Sequence, residues 1–280
     1  MRKNRKKWHT LLCMSLFFCN FARFFRFRTG ASYAIRRINM RIALIGYGKM
    51  GHMIEEIALS RGHEIVARID ANDAFDLNGA EVAIEFTTPA TAKDNILRAW
   101  AQGVPVVCGT TGWDAEALRN NRSSASEKRI KNLELRRQGN KTIIADEKGQ
   151  TMLVWSSNFS VGVNIFFELN KQLAAAMSEQ PQYTPSITET HHIHKLDKPS
   201  GTAKTLANDI MSAAKPLNGD YVPIESIREG EVPGTHEVKW DSEEDTIIIT
   251  HIAKGRRGFA LGAVLAAEDI LKEKNRKNIF

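Results

Sequence analysis

The chain has 280 residues, 42% hydrophobic and 25% charged, a composition that suits one large or two ordinary globular domains. Its formal net charge of +7 would suggest a nucleic-acid or membrane partner, but residues 1–39 contain ten Lys and Arg and no acid. Without those ten charges residues 40–280 carry −3, so we expect neither nucleic acid nor a membrane as a partner of the body.

The basic extension, residues 1–39, allows two interpretations. Its basic start and the apolar run Leu11–Phe18 resemble a secretory signal, but arginines follow closely and no small-x-small cleavage site ends the run. The alternative, which we favour, is that Met40 is the natural start and that the extension is disordered upstream sequence. No run reaches the roughly 18 apolar residues that span a bilayer. Three cysteines without a disulfide framework indicate a reducing, cytoplasmic location: Cys13, Cys19 and Cys108.

Strands and helices alternate in the first part of the chain. Ile42–Ile45 is predicted as a buried strand, and apolar residues at helical spacing follow it until Gly62. Further strands are predicted over Glu64–Ile69, Val82–Phe86 and Val104–Cys108, with a helix over about residues 90–102 before the last of them. This rhythm predicts an α/β, Rossmann-type doubly wound parallel sheet.

Residues 119–148 interrupt this rhythm as a polar insertion. They contain nine Lys and Arg against four acids and show little apolar periodicity, so we predict an exposed, partly helical or disordered segment. No aromatic residues interleave the charges, which argues against nucleic-acid binding.

The remaining chain predicts a second, α+β domain with a mixed or antiparallel sheet. After a strand over Thr151–Trp155 we expect a helix over Val163–Met177, a strand over Ile187–His192 and a helix from Gly201. Three strands that look antiparallel and an alanine-rich helix follow, over Ile224–Glu229, His236–Trp240, Thr246–His251 and Phe259–Lys272. We predict that residues 40–160 with 257–280 form a dinucleotide-binding domain and residues 161–256 a second domain.

Gly46–Gly51 is a complete G-x-G-x-x-G motif between a predicted strand and a predicted helix. Asp70 ends the next strand, where a carboxylate can accept hydrogen bonds from an adenosine ribose and repel a 2′-phosphate. We therefore expect NADH to be preferred over NADPH, a preference that Lys49 and Arg68 could soften. The alternative is an ordinary glycine turn and a solvated aspartate.

Two more loops, Thr87–Pro89 and Gly109–Gly112, follow predicted strands. Doubly wound sheets bind ligands at the carboxyl ends of their strands. The two loops are therefore candidate ligand-binding segments, with ordinary turns as the alternative.

Residues 189–203, Glu-Thr-His-His-Ile-His-Lys-Leu-Asp-Lys-Pro-Ser-Gly-Thr-Ala, carry the densest chemistry. Histidine titrates near neutral pH, lysine adds fixed positive charge, and N–H groups at a helix start hold anions. The pattern predicts a site that grips and protonates a small, multiply negative substrate, with Ser200 capping the helix.

A metal site and a solvated polar loop are the alternatives for this segment. On a strand, His192 and His194 would share one face and His191 the other. No carboxylate or thiolate cluster stands nearby in sequence, and the lysines would repel a cation. We therefore expect acid–base chemistry and no metal.

Residues 189–203 resemble the signature of the dihydrodipicolinate reductase family of lysine and diaminopimelate biosynthesis. The resemblance covers residues 40–118 and 149–272. Its further matches are the glycine motif, Thr87–Pro89, Gly109–Gly112, Ser157–Asn164, Arg228–His236, His251–Arg256, Phe259-Ala260 and Gly262-Ala263. It implies an NAD(P)H-dependent, cytoplasmic oxidoreductase that reduces 4-hydroxy-tetrahydrodipicolinate, a cyclic dicarboxylate, as a homotetramer built through the second domain. The extension and the insertion depart from the family pattern.

The resemblance also implies residue roles. His191 would be the catalytic acid/base and Lys195 the proton donor. The substrate would be held by His192, Lys195, Ser200, Gly201 and Thr202. The cofactor would be contacted by Gly46, Tyr47, Gly48, Lys49, Met50, Gly51, Asp70, Gly109, Thr110, Thr111, Ser157, Asn158, Phe159 and Arg256, with Arg256 and Phe259 near its nicotinamide end. His194 receives no role, so its replacement should be mild.

Two other functions stay open from the residues alone. One is another Rossmann oxidoreductase that acts on a small amino or imino dicarboxylate. The other is a basic-armed protein that uses residues 1–39 and 119–148 to bind nucleic acid or a membrane.

Overall fold

The computed structural model describes residues 39–118, 133–138, 140–146, 148, 150–213 and 221–277. Seven strands form the first sheet: β1 Arg41–Ile45, β2 Glu64–Ile69, β3 Val82–Glu85, β4 Val106–Cys108, β5 Glu134–Gln138, β6 Lys141–Ala145 and β7 Thr151–Ser156. Their order is β2-β1-β3-β4-β7-β6-β5. The first five in this order are parallel, and β6 and β5 extend the sheet as an antiparallel hairpin.

Helices cover both faces of this sheet. The helices are α1 Lys49–Ser60, α2 Pro89–Ala101, α3 Val161–Met177, α4 Gly201–Ala213 and α5 Arg257–Lys277, with a short 3₁₀ helix at Ala115–Leu118. Ile42 and Leu44 of β1 pack with residues of α1 and α5, whereas Ala43 and Ile45 pack with residues of α2. Successive strand residues point to opposite faces, so an unbroken apolar run is what a sheet buried on both sides requires. The predicted Rossmann-type α/β class is confirmed.

The second sheet has four strands: β8 Thr184–His191, β9 Ile224–Arg228, β10 Thr235–Asp241 and β11 Thr246–Ile252. Their order is β11-β10-β8-β9. One face buries Val238 and Trp240 against Phe167 of α3 and Leu206 of α4. The chain then returns to the first sheet, because α5 packs beside α1. A mixed second sheet is confirmed.

Two predictions about these elements are wrong. Residues 134–138 and 141–145 form the β5–β6 hairpin rather than helix or disorder, with Thr142, Ile144 and Ala145 buried. β9 runs parallel to β8, with Ile224 opposite Ile187, whereas the strand predicted over Ile224–Glu229 looked antiparallel.

Some predictions lie outside the described residues. These are the predictions for the extension up to residue 38, including Cys13 and Cys19, and for residues 119–132 of the insertion. Within the described stretches, no helix has both the length and the apolar character to cross a membrane.

Candidate active site

The glycine motif forms the turn between β1 and α1. Gly46 has φ +91°, and a Cβ there would lie 2.1 Å from the Phe86 carbonyl oxygen, so only glycine fits. A Cβ on Gly51 would lie 2.5 Å from the Gly46 carbonyl oxygen, whereas a Cβ on Gly48 would meet nothing within 4 Å. Gly48 caps α1 without a side-chain hydrogen bond, and the first turn holds no acid. The backbone N–H groups of the first turn of α1 therefore face no capping side chain and no acid, and they fit the pyrophosphate of a dinucleotide.

Asp70 directly follows β2, two residues after Arg68, which is paired with a glutamate. The Asp70 carboxylate is exposed and accepts a 2.9 Å hydrogen bond from the Ala71 N–H. Arg68 donates from Nε to both carboxylate oxygens of Glu55 in α1, at 3.1 and 3.2 Å. The Tyr47 hydroxyl donates to the same carboxylate. The arginine that we expected to soften the cofactor preference is thus already paired.

The loops after β3 and β4 are joined to each other. The Thr87 N–H donates to Thr110 Oγ1 at 2.8 Å. The indole N–H groups of Trp113 and Trp155 both donate to the Thr110 carbonyl at 2.8 Å. A Cβ on Gly109 would lie 2.1 Å from an aromatic ring of the neighbouring loop. The predicted cofactor loop is therefore held from several sides.

Cys108 lies beneath these loops as a free, buried thiol. Its Sγ donates to the buried Glu85 carboxylate at 2.9 Å. Burial, together with the negative charge of Glu85, raises the pKa of Cys108 well above its ordinary value. This cysteine is therefore a protonated packing residue rather than a nucleophile.

Two cavities adjoin where the first sheet meets the second. The smaller, about 200 Å³, is lined by Met50, Gly109, Phe159 and Arg256 among others. The larger, about 320 Å³, is lined by Thr111 from the first sheet and by His191, His192 and Lys195 from the second. Three residues line both cavities: Ser157, Asn158 and Phe259. Predicted cofactor residues and predicted substrate residues thus face the same space.

The loop after β7 holds the two sheets together at this point. The Asn158 side-chain amide donates to Thr202 Oγ1 at the start of α4, at 3.4 Å. The Asn158 carbonyl accepts hydrogen bonds from the Asn140 and Asn164 side chains, at 2.7 and 3.2 Å. A Cβ on Gly262 of α5 would lie 1.7 Å from the Phe159 carbonyl oxygen, so α5 packs directly on this loop.

A glutamate–histidine cluster, Glu189, His191 and His236, lies at the larger cavity, which the two histidines line. Glu189 Oε2 lies 3.6 Å from His191 Nδ1 and 3.7 Å from His236 Nε2. The two imidazole rings meet edge to face, with centroids 4.9 Å apart. All three side chains are buried. Strand pairing produces the cluster, because His236 of β10 is the register partner of Glu189 of β8.

Burial sets the charge of this cluster. It lowers the pKa of His191, although the Glu189 carboxylate opposes the shift. Burial and the nearby His191 lower the pKa of His236 to about 4. Burial alone would raise the pKa of Glu189, but hydrogen bonds from Ser200 outweigh it and the pKa is lowered. At neutral pH the cluster is therefore a carboxylate between two neutral imidazoles.

Lys195 and the segment that follows it are fixed by an arginine. Lys195 Nζ lies 2.6 Å from the Asp197 carboxylate. Arg228 donates from Nε to the Lys195 carbonyl at 3.2 Å and from an NH₂ group to the Asp197 carbonyl at 2.6 Å. The same guanidinium lies 3.4 Å from Glu189 Oε1. Arg228 therefore links the candidate proton donor to the buried cluster.

The start of α4 lies at the cavity with its cap in place. Ser200 Oγ accepts from the Ala203 N–H at 3.2 Å, as predicted for an N-cap. The Ser200 N–H donates to Glu189 at 3.0 and 3.1 Å, and Ser200 Oγ lies 3.2 Å from His236 Nε2. Gly201 and Thr202 line the cavity beside it.

The prediction that His192 and His194 share a strand face is wrong, because β8 ends at His191. His192 lines the cavity. The His194 side chain is 69% exposed in a turn, 3.3 Å from Glu231. Of the three histidines in residues 191–194, His191 and His192 therefore line the cavity and His194 does not.

The cluster also bears on the metal alternative. Glu189, His191 and His236 each place one ligand atom within 4.8 Å of the others, so the carboxylate that the sequence argument lacked is present. However, this carboxylate already accepts from Ser200, and the Arg228 guanidinium beside it opposes a cation. Proton transfer and anion binding remain the expected chemistry.

Comparison with known proteins identifies the family. The model "Dihydrodipicolinate reductase, N-terminus" matches residues 40–133, and "Dihydrodipicolinate reductase, C-terminus" matches residues 162–280. The chain belongs to the dihydrodipicolinate reductase family. Members of this family are pyridine-nucleotide-dependent oxidoreductases, and the resemblance stated from the sequence is confirmed.

Curated relatives and a solved structure agree with this assignment. A 4-hydroxy-tetrahydrodipicolinate reductase of Christiangramia forsetii is 44% identical over 246 residues, covering 84% of this chain and 93% of the relative. The enzyme of that name from Staphylococcus aureus is 33% identical over 264 residues, covering 84% and 97%. The dipicolinate-bound dihydrodipicolinate reductase of Paenisporosarcina sp. TG-14 has a TM-score of 0.62 at 21% identity, covering 84% and 96%, and shares the fold.

Three residues at the candidate site had no predicted role. Glu189, Arg228 and His236 stood inside matched motifs but received no role. A sequence signal existed for Glu189, which precedes His191 by two residues and so shares its strand face. For Arg228 and His236 the deciding information is strand register, which the sequence does not reveal.

Proposed function

We propose that this chain reduces 4-hydroxy-tetrahydrodipicolinate to tetrahydrodipicolinate with a reduced pyridine nucleotide, a step of lysine and diaminopimelate biosynthesis. The observation that carries the proposal is the cavity of about 320 Å³, where Thr111 and Asn158 face His191 and Lys195. Oxidoreductases need cofactor and substrate in one such space. The curated relatives bear this activity in their names.

The substrate's two carboxylates would bind at the start of α4 and beside it. His192, Ser200, Gly201 and Thr202 line the cavity there, with open helix N–H groups and the Lys195 ammonium nearby. Dipicolinate, found in the Paenisporosarcina relative, is a ring with two carboxylates, and this supports the same class of ligand here. Holding both carboxylates would orient the ring and lower the entropy cost of reaction.

Replacing the 4-hydroxyl by hydrogen consumes one hydride and one proton and releases water. The nicotinamide supplies the hydride when the cofactor is bound. Lys195 is the better proton source, because its ammonium carries a transferable proton and lines the cavity. The Asp197 carboxylate, 2.6 Å from Nζ, holds the side chain in place. His191 is neutral at pH 7, since burial lowers its pKa. A neutral imidazole can accept a proton and pass it on. We therefore propose that His191 exchanges protons with Lys195 and the substrate as a general acid–base group.

The cofactor would occupy the loops of the first sheet. The glycine loop and Gly109–Thr111 would hold its phosphates, and Ser157–Phe159 with Arg256 would surround its nicotinamide end. Asp70 would bind the adenosine ribose. We propose that NADH is preferred over NADPH, since the exposed Asp70 carboxylate would repel a 2′-phosphate and Ala71 beside it offers no cation.

We also propose a cytoplasmic homotetramer. Residues 40–160 with 257–280 would form the cofactor domain, and residues 161–256 the substrate-binding and assembly domain. The second sheet's face opposite α3 and α4 supports the assembly, because exposed Ile227, Ile248 and Ile252 lie on it. The basic-armed binding role concerns residues mostly outside the described stretches and stays an alternative prediction.

A coupled assay tests the activity. Dihydrodipicolinate synthase generates the substrate in place, and oxidation of NADH is followed by absorbance after addition of the purified chain. Omission of the synthase is the control. A chain that binds NADH but oxidises none in the complete mixture would contradict the proposed reaction.

A further inference from the structure

Arg68 occupies a place from which it could serve a cofactor phosphate. It lies on β2, two residues before Asp70, which directly follows Ile69, the last residue of the strand. Its guanidinium carbon is 5.8 Å from the centroid of the Tyr47 ring, inside the glycine motif. A cation between the glycine loop and the residue at the ribose is well placed to attract a 2′-phosphate, which carries a charge of about −2.

Arg68 is withdrawn from that use by Glu55. The guanidinium Nε lies 3.1 and 3.2 Å from the two carboxylate oxygens, and an NH₂ group contacts the same carboxylate. The Tyr47 hydroxyl donates to Glu55 as well, so the carboxylate is held from two sides. A planar, bidentate pair fixes the direction of the guanidinium as well as its charge.

Local charge supports the same conclusion. Asp70 and Glu55 each carry −1 and Arg68 carries +1, so these three side chains sum to −1. Replacing Glu55 by glutamine would bring the sum to zero and free the guanidinium. The Arg68 side chain is 42% exposed, so it has solvent-accessible space in which to reorient.

We propose that Glu55 is a specificity-determining residue that holds Arg68 in an internal ion pair and thereby disfavours NADPH. The inference rests on the proposed use of a pyridine nucleotide and extends it. Asp70 acts directly at the ribose, whereas Glu55 acts through Arg68. Loss of Glu55 converts the arginine from a structural partner into a phosphate ligand.

The experiment is a double-mutant cycle on dinucleotide binding. Dissociation constants for NADH and NADPH are measured by isothermal titration calorimetry for the full chain, Glu55→Gln, Arg68→Gln and the double variant. Glu55→Gln should tighten NADPH binding on the order of tenfold, the effect of one charge-assisted hydrogen bond, with little change for NADH. In the Arg68→Gln background the same substitution should have much less effect on NADPH.

A matched control is available on the same helix. Glu56 is the next residue, pairs with Arg257 of α5 at 2.7 Å and is 66% exposed. Glu56→Gln removes the same charge without touching Arg68, so it should leave both dissociation constants unchanged. Melting curves check folding, and Glu55→Met replaces Glu55→Gln if the latter does not fold.

The outcomes separate this inference from the proposed function. An unchanged NADPH affinity in Glu55→Gln, an equal gain in the Arg68→Gln background, or an equal gain in Glu56→Gln would overturn the role of Glu55. Failure of the unmodified chain to bind either dinucleotide would instead contradict the proposed cofactor.

Discussion

Replacing His236 by glutamine should flatten the pH dependence of stability. The His236 side chain is only 6% exposed, and burial with the nearby His191 lowers its pKa from 6.5 to about 4. The unfolded chain therefore takes up a proton as pH falls below 6.5, whereas the folded chain takes it up only near pH 4. The free energy of unfolding must therefore decrease as the pH is lowered from 6.5 to about 4, and it levels off at lower pH.

The size of the effect follows from the two pKa values. A full shift from 6.5 to about 4 corresponds to roughly 3 kcal/mol, of which about 2 kcal/mol is lost between pH 7.5 and pH 5. Glutamine can keep a hydrogen bond to Ser200 but does not titrate. His236→Gln should therefore lose about 2 kcal/mol less than the unmodified chain over this interval.

Urea unfolding at pH 7.5 and pH 5, followed by circular dichroism, measures this difference. His194→Gln is the matched control: its side chain is 69% exposed, so its replacement should change the unfolding free energy little. If His236→Gln shows the same pH dependence as the unmodified chain, His236 is not a buried neutral imidazole and the charge assignment of the cluster is wrong.

Three further substitutions test the site. His191→Gln should lower kcat by roughly 100-fold, the scale of a lost acid–base group, with smaller effect on cofactor binding; an unchanged kcat would remove His191 from the chemistry. Arg228→Lys keeps the charge but cannot donate to both the Lys195 and the Asp197 carbonyl, so kcat should fall on the order of tenfold with the KM for NADH unchanged. A tenfold rise in the KM for NADH with kcat unchanged would contradict the positioning of the proton donor by Arg228. Asp70→Asn should weaken NADH relative to NADPH by roughly tenfold in titration calorimetry; a fixed ratio would contradict the ribose assignment.

Local patterns predicted the parallel strands of the first sheet and the loops that follow them, for a physical reason. A parallel sheet covered on both faces needs continuous apolar strands, and the tight turn at Gly46 needs φ +91°, so both leave marks in a short window. The α4 cap at Ser200 is equally local. Features set by neighbours in the chain are therefore readable without the structure.

The β5–β6 hairpin escaped prediction because its strands are short and rich in charge. β5 is the edge of the sheet, where charged residues such as Arg136 and Arg137 are expected. Among the hairpin residues whose burial is described, three are buried: Thr142, Ile144 and Ala145. In the sequence, Gly139-Asn140 stands between the two strands, and such a pair is a signal for a hairpin turn.

The glutamate–histidine cluster could not be found the same way. Its geometry depends on β8 pairing with β10 and β9, which sets His236 opposite Glu189 and Arg228 opposite His191. A shift of one residue in either pairing would turn these side chains to the other face. The register therefore depends on pairing between strands that are far apart in the sequence, which no short window reveals.

The return of α5 to the first sheet has a consequence for dissecting this protein. The second sheet lies in the chain between β7 and α5, the helix that completes the core of the first sheet. A Cβ on Gly262 of α5 would lie 1.7 Å from the Phe159 carbonyl oxygen. A fragment ending after β7 would expose the surface that buries Ala260 and Val264. A chimera of two relatives should therefore replace the whole internal segment from α3 to β11. The residues before and after that segment should both come from the same relative.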